Sequence, residues 1–448
     1  MKKEITIVGA GLVGALLGAL LAQRGFAVTL FERRPDPRRA GFLGGRSINL
    51  ALAERGWHGL RLAGLAETLR PLAVMMRGRM VHALDGTTNL QRYGRDDSEV
   101  IWSINRGRLN MALLDAAEAA GAHILFDRSL VAVDWDKLEL HLADDAGATS
   151  EHAAAVVIGA DGAGSALRAA LTQTIDLRER FEPLDHSYKE LEIPARDGGF
   201  AMERNALHIW PRGNYMCIAL PNAEGSFTVT LFLPNHGNPG FDTVNSAAAA
   251  RALFARDFAD AVPLIPDLEQ DFMHNPTGML GTLYLQRWHL DGRALLVGDA
   301  AHAIVPFHGQ GMNCGFEDAV ELAELLAGAP DDTSAVFAEF ERRRRPNADA
   351  IAAMALENYV EMRDSVADAH FLLMRALERK LAELHPGRFV PRYWMVTFSR
   401  LPYATALARG EIQSQILREL TTGKTELDQV DLALAARLIE QRLPPLRA

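Results

Sequence analysis

Cysteine is nearly absent. Cys217 and Cys314 are the only two among 448 residues, and they stand far apart in the sequence. That excludes a disulfide framework and any CxxC pair, and it points to a reducing compartment, the cytoplasm. An excess of positive charge is missing too: 47 Lys and Arg face 57 Asp and Glu, a net charge of -10. With a pI near 5.8 there is no basic face for nucleic acid or an anionic membrane. No His, Cys and carboxylate group stands at metal-ligand spacing, so no metal is expected. Internal repeats and low-complexity linkers are absent as well.

A membrane-spanning run is the last missing feature. Lys2 and Lys3 precede an uncharged stretch from Ile5 to Gln23, which superficially resembles a signal peptide or a span. Gly9, Gly11, Gly14 and Gly18 interrupt it, and Ile5, Ile7 and Val8 read as a buried strand leading through a glycine turn into an apolar helix. The closing segment LALAARLIEQRLPPLRA carries charges and two prolines, so no membrane anchor is expected there.

What is present suggests two or three packed domains. A strand at Ile5–Val8, a helix at about Leu12–Arg24 and a strand at Ala27–Phe31 form a βαβ opening, which implies a parallel sheet. Further strands are expected at Met76–Ala83, Val100–Ile104 and Val156–Ile158. Between about Pro183 and Leu233, short β runs alternate with turn signals, the pattern of a mainly antiparallel sheet. Near Ala294 the α/β style returns in ALLVGDAAH. From about Phe316 onward the pattern is helical, with Pro346 expected to break a helix, Asn347 or Asp349 to cap its restart, and His385–Gly387 to stop another. The expected architecture is α/β: a discontinuous Rossmann-like domain over residues 1–70, 101–180 and 280–330, an interleaved β-sheet domain over 71–100 and 181–279, and a helical region over 331–448.

Gly9-Ala10-Gly11-Leu12-Val13-Gly14 fits GxGxxG between a strand and a helix. The first glycine makes the turn, the second admits a pyrophosphate to the backbone, and the third lets helix and strand pack closely. Free N–H groups at the helix start, from Leu12 and Val13 onward, suit phosphate oxygens. Glu32, at the end of the next strand, is placed to accept bonds from ribose hydroxyls; its bland alternative is a surface charge beside Arg33. Alone the motif is weak. Two more glycine-rich elements follow in order: VVIGADGAGSALR, with Gly159, Asp161, Gly162 and Arg168, and LLVGDAAHAIVPFHGQGMN, with Gly298, Asp299, Pro306, Gly309, Gly311 and Asn313.

That ordered set resembles the FAD-dependent aromatic hydroxylases. The resemblance implies that Asp299 meets the ribityl chain and that Arg106, in the pattern Arg-x-x-Leu109, lies near the pyrophosphate. The FAD set it implies also includes Phe31, Arg33 and Arg34 beside Glu32, together with Ala51, Leu130 and Met312. The helix beginning near Met312 would aim its positive end at the flavin pyrimidine ring, stabilising the anion of the reduced flavin.

Segments outside the FAD motifs narrow the match. GRSINLALAERG (Gly45–Gly56), MMRGRMVH (Met75–His82), GRDDSEVIWSINR (Gly94–Arg106), HSYKEL (His186–Leu191), HIWPRG (His208–Gly213), MALENYVEM (Met354–Met362) and FSRLPYA (Phe398–Ala404) are similar to the kynurenine 3-monooxygenase family in its bacterial form. The resemblance implies bound FAD, transient NADPH, O2, and hydroxylation of L-kynurenine to 3-hydroxy-L-kynurenine through a flavin peroxide, in tryptophan degradation. It also implies that the substrate carboxylate meets Arg79, Tyr93, Asn358 and Tyr403, as a guanidinium fork, phenols and an amide suit a carboxylate. On one strand, period-two geometry puts Arg77 and Arg79 on the same face, so spacing does not choose between them; the resemblance selects Arg79. Asn358 and Met362 stand at i and i+4 on one helix face, with Met354 four residues earlier. Leu207, Met216, Leu220, Phe232 and Phe307 match the apolar wall for the aniline ring, although each equally suits plain packing.

Pro306, Phe307 and His308 fall in the flavin loop. No protein base is assigned, since kynurenine's ring amine already feeds electrons to its ortho carbon and a dry, ordered pocket suffices. A second GxGxxG is absent, so NADPH is expected to bind transiently. Two other classes share the fold: a flavin-dependent halogenase, whose WxWxIP motif is missing, and a non-catalytic FAD-fold carrier, which has no need of the Pro306–Asn313 loop.

Overall fold

The computed structural model describes residues 3–40, 49–196, 198–362 and 369–446. Lys2, the first four residues of the Gly45–Gly56 segment and the last two residues of the chain lie outside the described residues. The apolar N-terminal run folds as Glu4–Val8 and Leu12–Gln23, a strand and a helix inside the core. The helix LVGALLGALLAQ is buried almost all round, because a sheet covers one side and two helices the others. Among the described residues no helix is long and apolar enough to cross a membrane.

Two sheets organise the molecule. The first has six strands in the order His289–Leu290, Ala294–Leu296, Val157–Gly159, Glu4–Val8, Ala27–Phe31 and His123–Leu125. Its pairs are parallel except the outermost, His289–Leu290 with Ala294–Leu296. The three glycine-rich elements therefore leave the same edge of this sheet, at the C-terminal ends of neighbouring parallel strands, where α/β folds bind ligands.

The second has seven strands in the order Thr277–Tyr284, Arg180–Ile193, Phe227–Pro234, Met216–Pro221, Ala206–Pro211, Gly78–His82 and Thr88–Arg92. It is antiparallel apart from the parallel pair Ala206–Pro211 with Gly78–His82. Its strands alternate cleanly. Leu191, Trp210, Cys217, Val229 and Leu231 face the helices Ala247–Asp257 and Leu268–His274, while Leu207, Met216, Leu220 and Phe232 face the rest of the molecule. Thr277–Tyr284 straddles the domain boundary expected at residue 280.

Two expectations need correction. The strand expected at Met76–Ala83 is two strands, Ala73–Met76 and Gly78–His82, which belong to different sheets, and Arg77 sits at the break. Pro346 does not break its helix: Thr333–Val360 runs straight through it. The proline removes one N–H, and beside it the Asn347 side chain ties the helix to its neighbour, Nδ2 donating to the Arg343 carbonyl at 2.8 Å while Oδ1 accepts from Ala404 N at 3.0 Å. His385–Gly387 does follow the end of a helix, Ala369–Leu384.

Candidate active site

The cofactor side is made mostly of backbone. Gly9 has φ +99°, which disfavours any side chain, and a Cβ there would sit 2.6 Å from the Ala160 carbonyl oxygen. A Cβ on Gly14 would lie 2.0 Å from the Gly9 carbonyl oxygen, so this glycine permits the helix to pack on the turn. Over Gly11 the space is open. Gly11 begins the helix with no side-chain cap, whereas Asn105, Ser165, Ser246 and Asp332 each cap another helix. Glu32 reaches back to the turn, accepting from Ala10 N at 2.9 Å and from Arg34 N at 3.0 Å. Phe31 and Leu130 are buried, and Arg33, Arg34 and Arg106 are exposed.

The second and third elements meet this turn. Asp161 is engaged locally: it accepts from Ser165 Oγ at 2.5 Å, and from Ala166 N and Leu167 N at 2.7 and 3.1 Å, which fixes the start of the helix Ala166–Thr172. Asp299 is exposed at the start of Asp299–His302, just after Gly298 with φ +58°. Beneath it, Asp318 holds the turn by accepting from Gly298 N at 3.0 Å, His302 Nε2 at 2.5 Å and Arg344 Nε at 2.7 Å. Burial raises the Asp318 pKa, but His302 and Arg344 bring it down to about 2. His302, Cys314 and Asp318 converge closely enough to share an ion, yet the Arg344 guanidinium already supplies the cation. Asn313 makes four bonds, accepting from Ala53 N and Gly56 N and donating to the Ala51 and Gly309 carbonyls, so it ties two loops together. The helix Gly311–Gly328 starts after Gln310 with no side-chain cap, leaving the N–H groups at Gly311 and Met312 facing out of the loop. Open space above Gly11, two uncapped helix starts and a ribose-ready carboxylate at Glu32 fit a dinucleotide of the FAD type.

The other side is made of side chains. Leu207, Met216, Leu220, Phe232, Phe307 and Met362 form one buried cluster, with Tyr93 packed against it. Phe307 meets Phe232 at 5.0 Å between ring centroids and Tyr359 at 4.2 Å. At the rim of this wall, the Arg79 guanidinium lies 5.7 Å from the Tyr93 ring centre, and Tyr93 stacks on Tyr393 at 5.4 Å. Burial opposes the Arg79 charge, but Tyr93, Tyr393 and Glu361 outweigh it and raise its pKa. Arg77 is different: its Nε donates to Asp97 at 2.9 Å, on the surface. The two arginines that spacing left open are thus separated by the strand break between them.

Pro306–His308 forms a short 3-10 turn closing the wall. His308 stacks on Tyr393 at 5.8 Å, and its Nδ1 is buried with no hydrogen-bond partner among the described residues. Burial pushes its pKa down to about 4. Asn358 donates to the Phe307 carbonyl at 2.6 Å and contacts Met362 Sδ at 3.3 Å, so it braces the turn as well as facing the space beyond. That space is a cavity of about 210 Å³ lined by His308, Asn358, Glu361, Arg375, Arg392 and Tyr393, among others.

Tyr403 does not join this group. Its hydroxyl donates to Gln310 Oε1 at 2.8 Å, its ring lies under the Arg55 guanidinium at 3.9 Å, and it packs with Cys314 and Met354 in a separate cluster. Tyr393, which the sequence reading did not single out, is the phenol that stands beside Tyr93 and Arg79. The signal was slight: an aromatic one residue inside the helix Arg392–Thr397 looks like ordinary core. Glu190, on the Tyr188 face of its strand, has its carboxyl pushed up to about 7 by burial despite Arg106 nearby.

Comparison with known proteins bears on the family and the fold. A family described as FAD binding domain matches residues 2–355. A protein named kynurenine 3-monooxygenase from Xanthomonas campestris pv. campestris (strain 8004) is 59% identical over 446 residues, covering 99% of this chain and 98% of the relative. One of the same name from Stenotrophomonas maltophilia (strain K279a) is 59% identical over 448 residues, with the same coverage. Among solved structures, the tetrameric form of 2-methyl-3-hydroxypyridine-5-carboxylic acid oxygenase superposes with a TM-score of 0.66 at 21% identity, covering 88% of this chain and 96% of that one. PqsL, a probable FAD-dependent monooxygenase from Pseudomonas aeruginosa, gives 0.65 at 20% identity, covering 81% and 97%. These two are likenesses of fold. At 59% identity over nearly its whole length, the chain belongs to the kynurenine 3-monooxygenase family, with the α/β fold of the FAD-dependent aromatic hydroxylases.

Proposed function

We propose that this protein hydroxylates L-kynurenine to 3-hydroxy-L-kynurenine, using FAD, NADPH and O2, in the cytoplasm and in tryptophan degradation. One observation carries the reading: the partly buried guanidinium of Arg79, flanked by two stacked phenols, stands at the rim of an apolar wall. An amino acid with an aromatic ring needs that asymmetry. Its carboxylate requires a fork of donors and its ring requires a dry surface.

Residues 1–70, 101–180 and 280–330 hold FAD, residues 71–100 and 181–279 supply the substrate sheet, and 331–448 cover it with helices. Bound FAD would supply the redox chemistry, with NADPH as reductant and O2 as the source of the oxygen atom added beside the ring amine, the other oxygen leaving as water. The chain does the rest. The Leu12 and Val13 N–H groups would donate to pyrophosphate oxygens, Glu32 would accept from a ribose, Asp299 would accept from the ribityl chain, and Gly311 and Met312 would present N–H groups to the flavin. Arg79 binds the substrate carboxylate, with Tyr93 and Tyr393 donating beside it. Leu207, Met216, Leu220, Phe232 and Phe307 press the ring into one plane and exclude water. His308 is held neutral by burial at neutral pH, which suits a bond to the substrate rather than a cationic role. The ring amine activates its own ortho carbon, so no side chain has to remove a proton before oxygen transfer.

The test is NADPH consumption by the yellow holoprotein with and without L-kynurenine, with the product identified. Substrate-stimulated consumption and a hydroxyl at the carbon beside the amine are expected. A colourless protein that takes up no FAD, or consumption with no hydroxylated product, would sink the proposal.

A further inference from the structure

Two of the segments that carry the family likeness, MMRGRMVH and HIWPRG, also build a cluster on the far face of the seven-stranded sheet, away from the substrate wall. The strand bearing Arg79 ends at His82, whose ring turns to that face. His82 Nδ1 lies 2.7 Å from Asp260 Oδ2, and its Nε2 lies 2.8 Å from His208 Nδ1. His208 Nε2 lies 2.8 Å from the Glu203 carbonyl oxygen. The His82 ring stacks on Trp210 at 4.1 Å, and the Trp210 indole N–H donates to both Asp260 oxygens at 2.9 and 3.0 Å. Arg212 Nη1 donates to the His82 carbonyl at 3.1 Å. His82 and His208 are only 6% and 2% exposed, so water does not substitute for these bonds.

Donor bookkeeping fixes the protons. A carbonyl only accepts, so His208 Nε2 carries a hydrogen. Burial pushes the His208 pKa down to about 4, so near neutral pH the ring is neutral and its Nδ1 accepts. His82 Nε2 must therefore donate. Burial works against ionisation of Asp260, but its bonds to His82 and Trp210 prevail and lower its pKa. His82 is thus bonded at both ring nitrogens, to the Asp260 carboxylate on one side and to the His208 ring on the other.

The placement matters because of what lies three residues away. Gly78–His82 is second from the edge of its sheet, and its outer neighbour, Thr88–Arg92, is largely exposed. Its inner partner is Ala206–Pro211, with Arg79 opposite Leu207 and Met80 opposite His208. The cross-strand His82–His208 bond and the anchor to Asp260 thus fix the twist of a weakly flanked strand against the strand that carries the apolar wall. We propose that His82 is a positioning residue for Arg79, holding the guanidinium fork in register with the Leu207 wall. The proposal rests on the reading of Arg79 as the substrate's carboxylate anchor. A fork that must meet two oxygens at once loses its advantage with a small misalignment, so a clamp on the reverse face acts on affinity for the carboxylate.

A double-mutant cycle on the FAD-loaded protein tests this. His82→Gln, which donates at only one end, should raise the KM for L-kynurenine about tenfold and leave kcat unchanged. A kynurenine analogue without the α-carboxylate should bind the variant and the parent alike. His82→Gln added to Arg79→Met should weaken L-kynurenine no further than Arg79→Met alone, because both act through one contact. Additive losses, or equal weakening of the analogue, would show a general loosening and overturn the positioning role. If His82→Gln does not fold, Asp260→Asn removes the charge at the accessible end of the clamp, with the same pattern expected and the same additive result overturning it. If Arg79→Met weakens L-kynurenine but neither clamp variant does, the positioning role alone is wrong. If Arg79→Met has no effect, the anchor reading falls and takes the positioning role with it.

Discussion

At the ends of the parallel strands the site is lined by backbone: the turn at Gly9, the open space over Gly11, and the N–H groups at the starts of two uncapped helices. On the face of the antiparallel sheet it is lined by side chains: one arginine, two stacked tyrosines and a wall of aliphatic and aromatic groups. The contrast decides how each half can be damaged. A backbone cradle fails when a Cβ appears where none fits, and the failure propagates into the fold. A side-chain wall fails locally, at one group of the ligand.

The largest effect is expected from Gly14→Ala. Its methyl would fall 2.0 Å from the Gly9 carbonyl oxygen, in backbone that does not yield, so a loss of about 3 kcal/mol or more and a protein that does not retain FAD are expected. Gly11→Ala meets nothing within 4 Å, so it should melt near the parent temperature while holding FAD more weakly. Thermal melts beside flavin absorbance separate the two. Equal destabilisation by both would mean that the cradle is not organised by the close approach of helix and turn.

On the side-chain half, Arg79→Met should weaken L-kynurenine by two to three decades, following the loss of about 3–5 kcal/mol when one partner of a desolvated charge pair is removed. Arg77→Met is the control. Arg77 is paired with Asp97 at the surface, where ion pairs contribute about 1 kcal/mol or less, so its loss should leave substrate affinity nearly intact. Isothermal titration with the oxidised protein gives both numbers. A severe effect of Arg77→Met would move the anchor to the other side of the strand break.

The same division explains what the sequence reveals. GxGxxG, the Asp161 turn and the Gly298-Asp299 turn are legible because particular backbone conformations tolerate only glycine, and their order along the chain then names the sheet edge where they meet. Asp161 shows the limit of that logic: the glycines beside it are diagnostic, but its carboxylate bonds to Ser165, Ala166 and Leu167, a helix start that pattern alone does not distinguish from a ligand contact. A substrate role for the apolar wall is suggested only by family likeness, since Leu207 and Phe232 would read identically as plain core. Arg77 and Arg79 look equivalent until the chain is seen to change sheets between them. Pro346 reads as a helix break because its local cost is visible in sequence, whereas the packing of the long helix that outweighs it is not.

Under the Gly298-Asp299 turn lies a buried ionic hub, and acid should expose it. Asp318 has its pKa held at about 2 in the folded chain, below the value of about 3.9 for an unfolded aspartate. A depressed carboxylate contributes stability above its unfolded pKa and loses it as pH falls toward the folded one. The parent should therefore lose stability progressively from about pH 4 downward, by the linkage rule. Asp318→Asn should be less stable by about 3 kcal/mol at neutral pH, because Arg344 keeps a buried charge with a poorer partner, and its acid slope should be shallower. Parallel acid slopes in parent and variant would place the acid-sensitive group elsewhere.

The smallest effects come from two tyrosines that are easily confused, and they sharpen the comparison most. Tyr403 belongs to the loop side: its hydroxyl holds Gln310, the residue just before the uncapped helix start at Gly311. Tyr403→Phe removes one buried hydrogen bond and leaves Gln310 Oε1 without that donor, so a loss of about 1 kcal/mol in stability is expected, with little change in affinity for L-kynurenine. Tyr393 belongs to the side-chain half, stacked on Tyr93 and on His308 with Arg79 close by. Tyr393→Phe keeps the stacked ring and removes only the hydroxyl, so the melting temperature should hold while the KM for L-kynurenine rises about tenfold, the effect of one hydrogen bond to a charged group. The analogue lacking the carboxylate should not distinguish Tyr393→Phe from the parent. If Tyr403→Phe raises KM while Tyr393→Phe does not, the phenol that meets the carboxylate is the one the sequence likeness first selected. The helix Tyr403–Thr421 would then have to move toward Arg79 when substrate binds, because at rest its first hydroxyl is committed to Gln310.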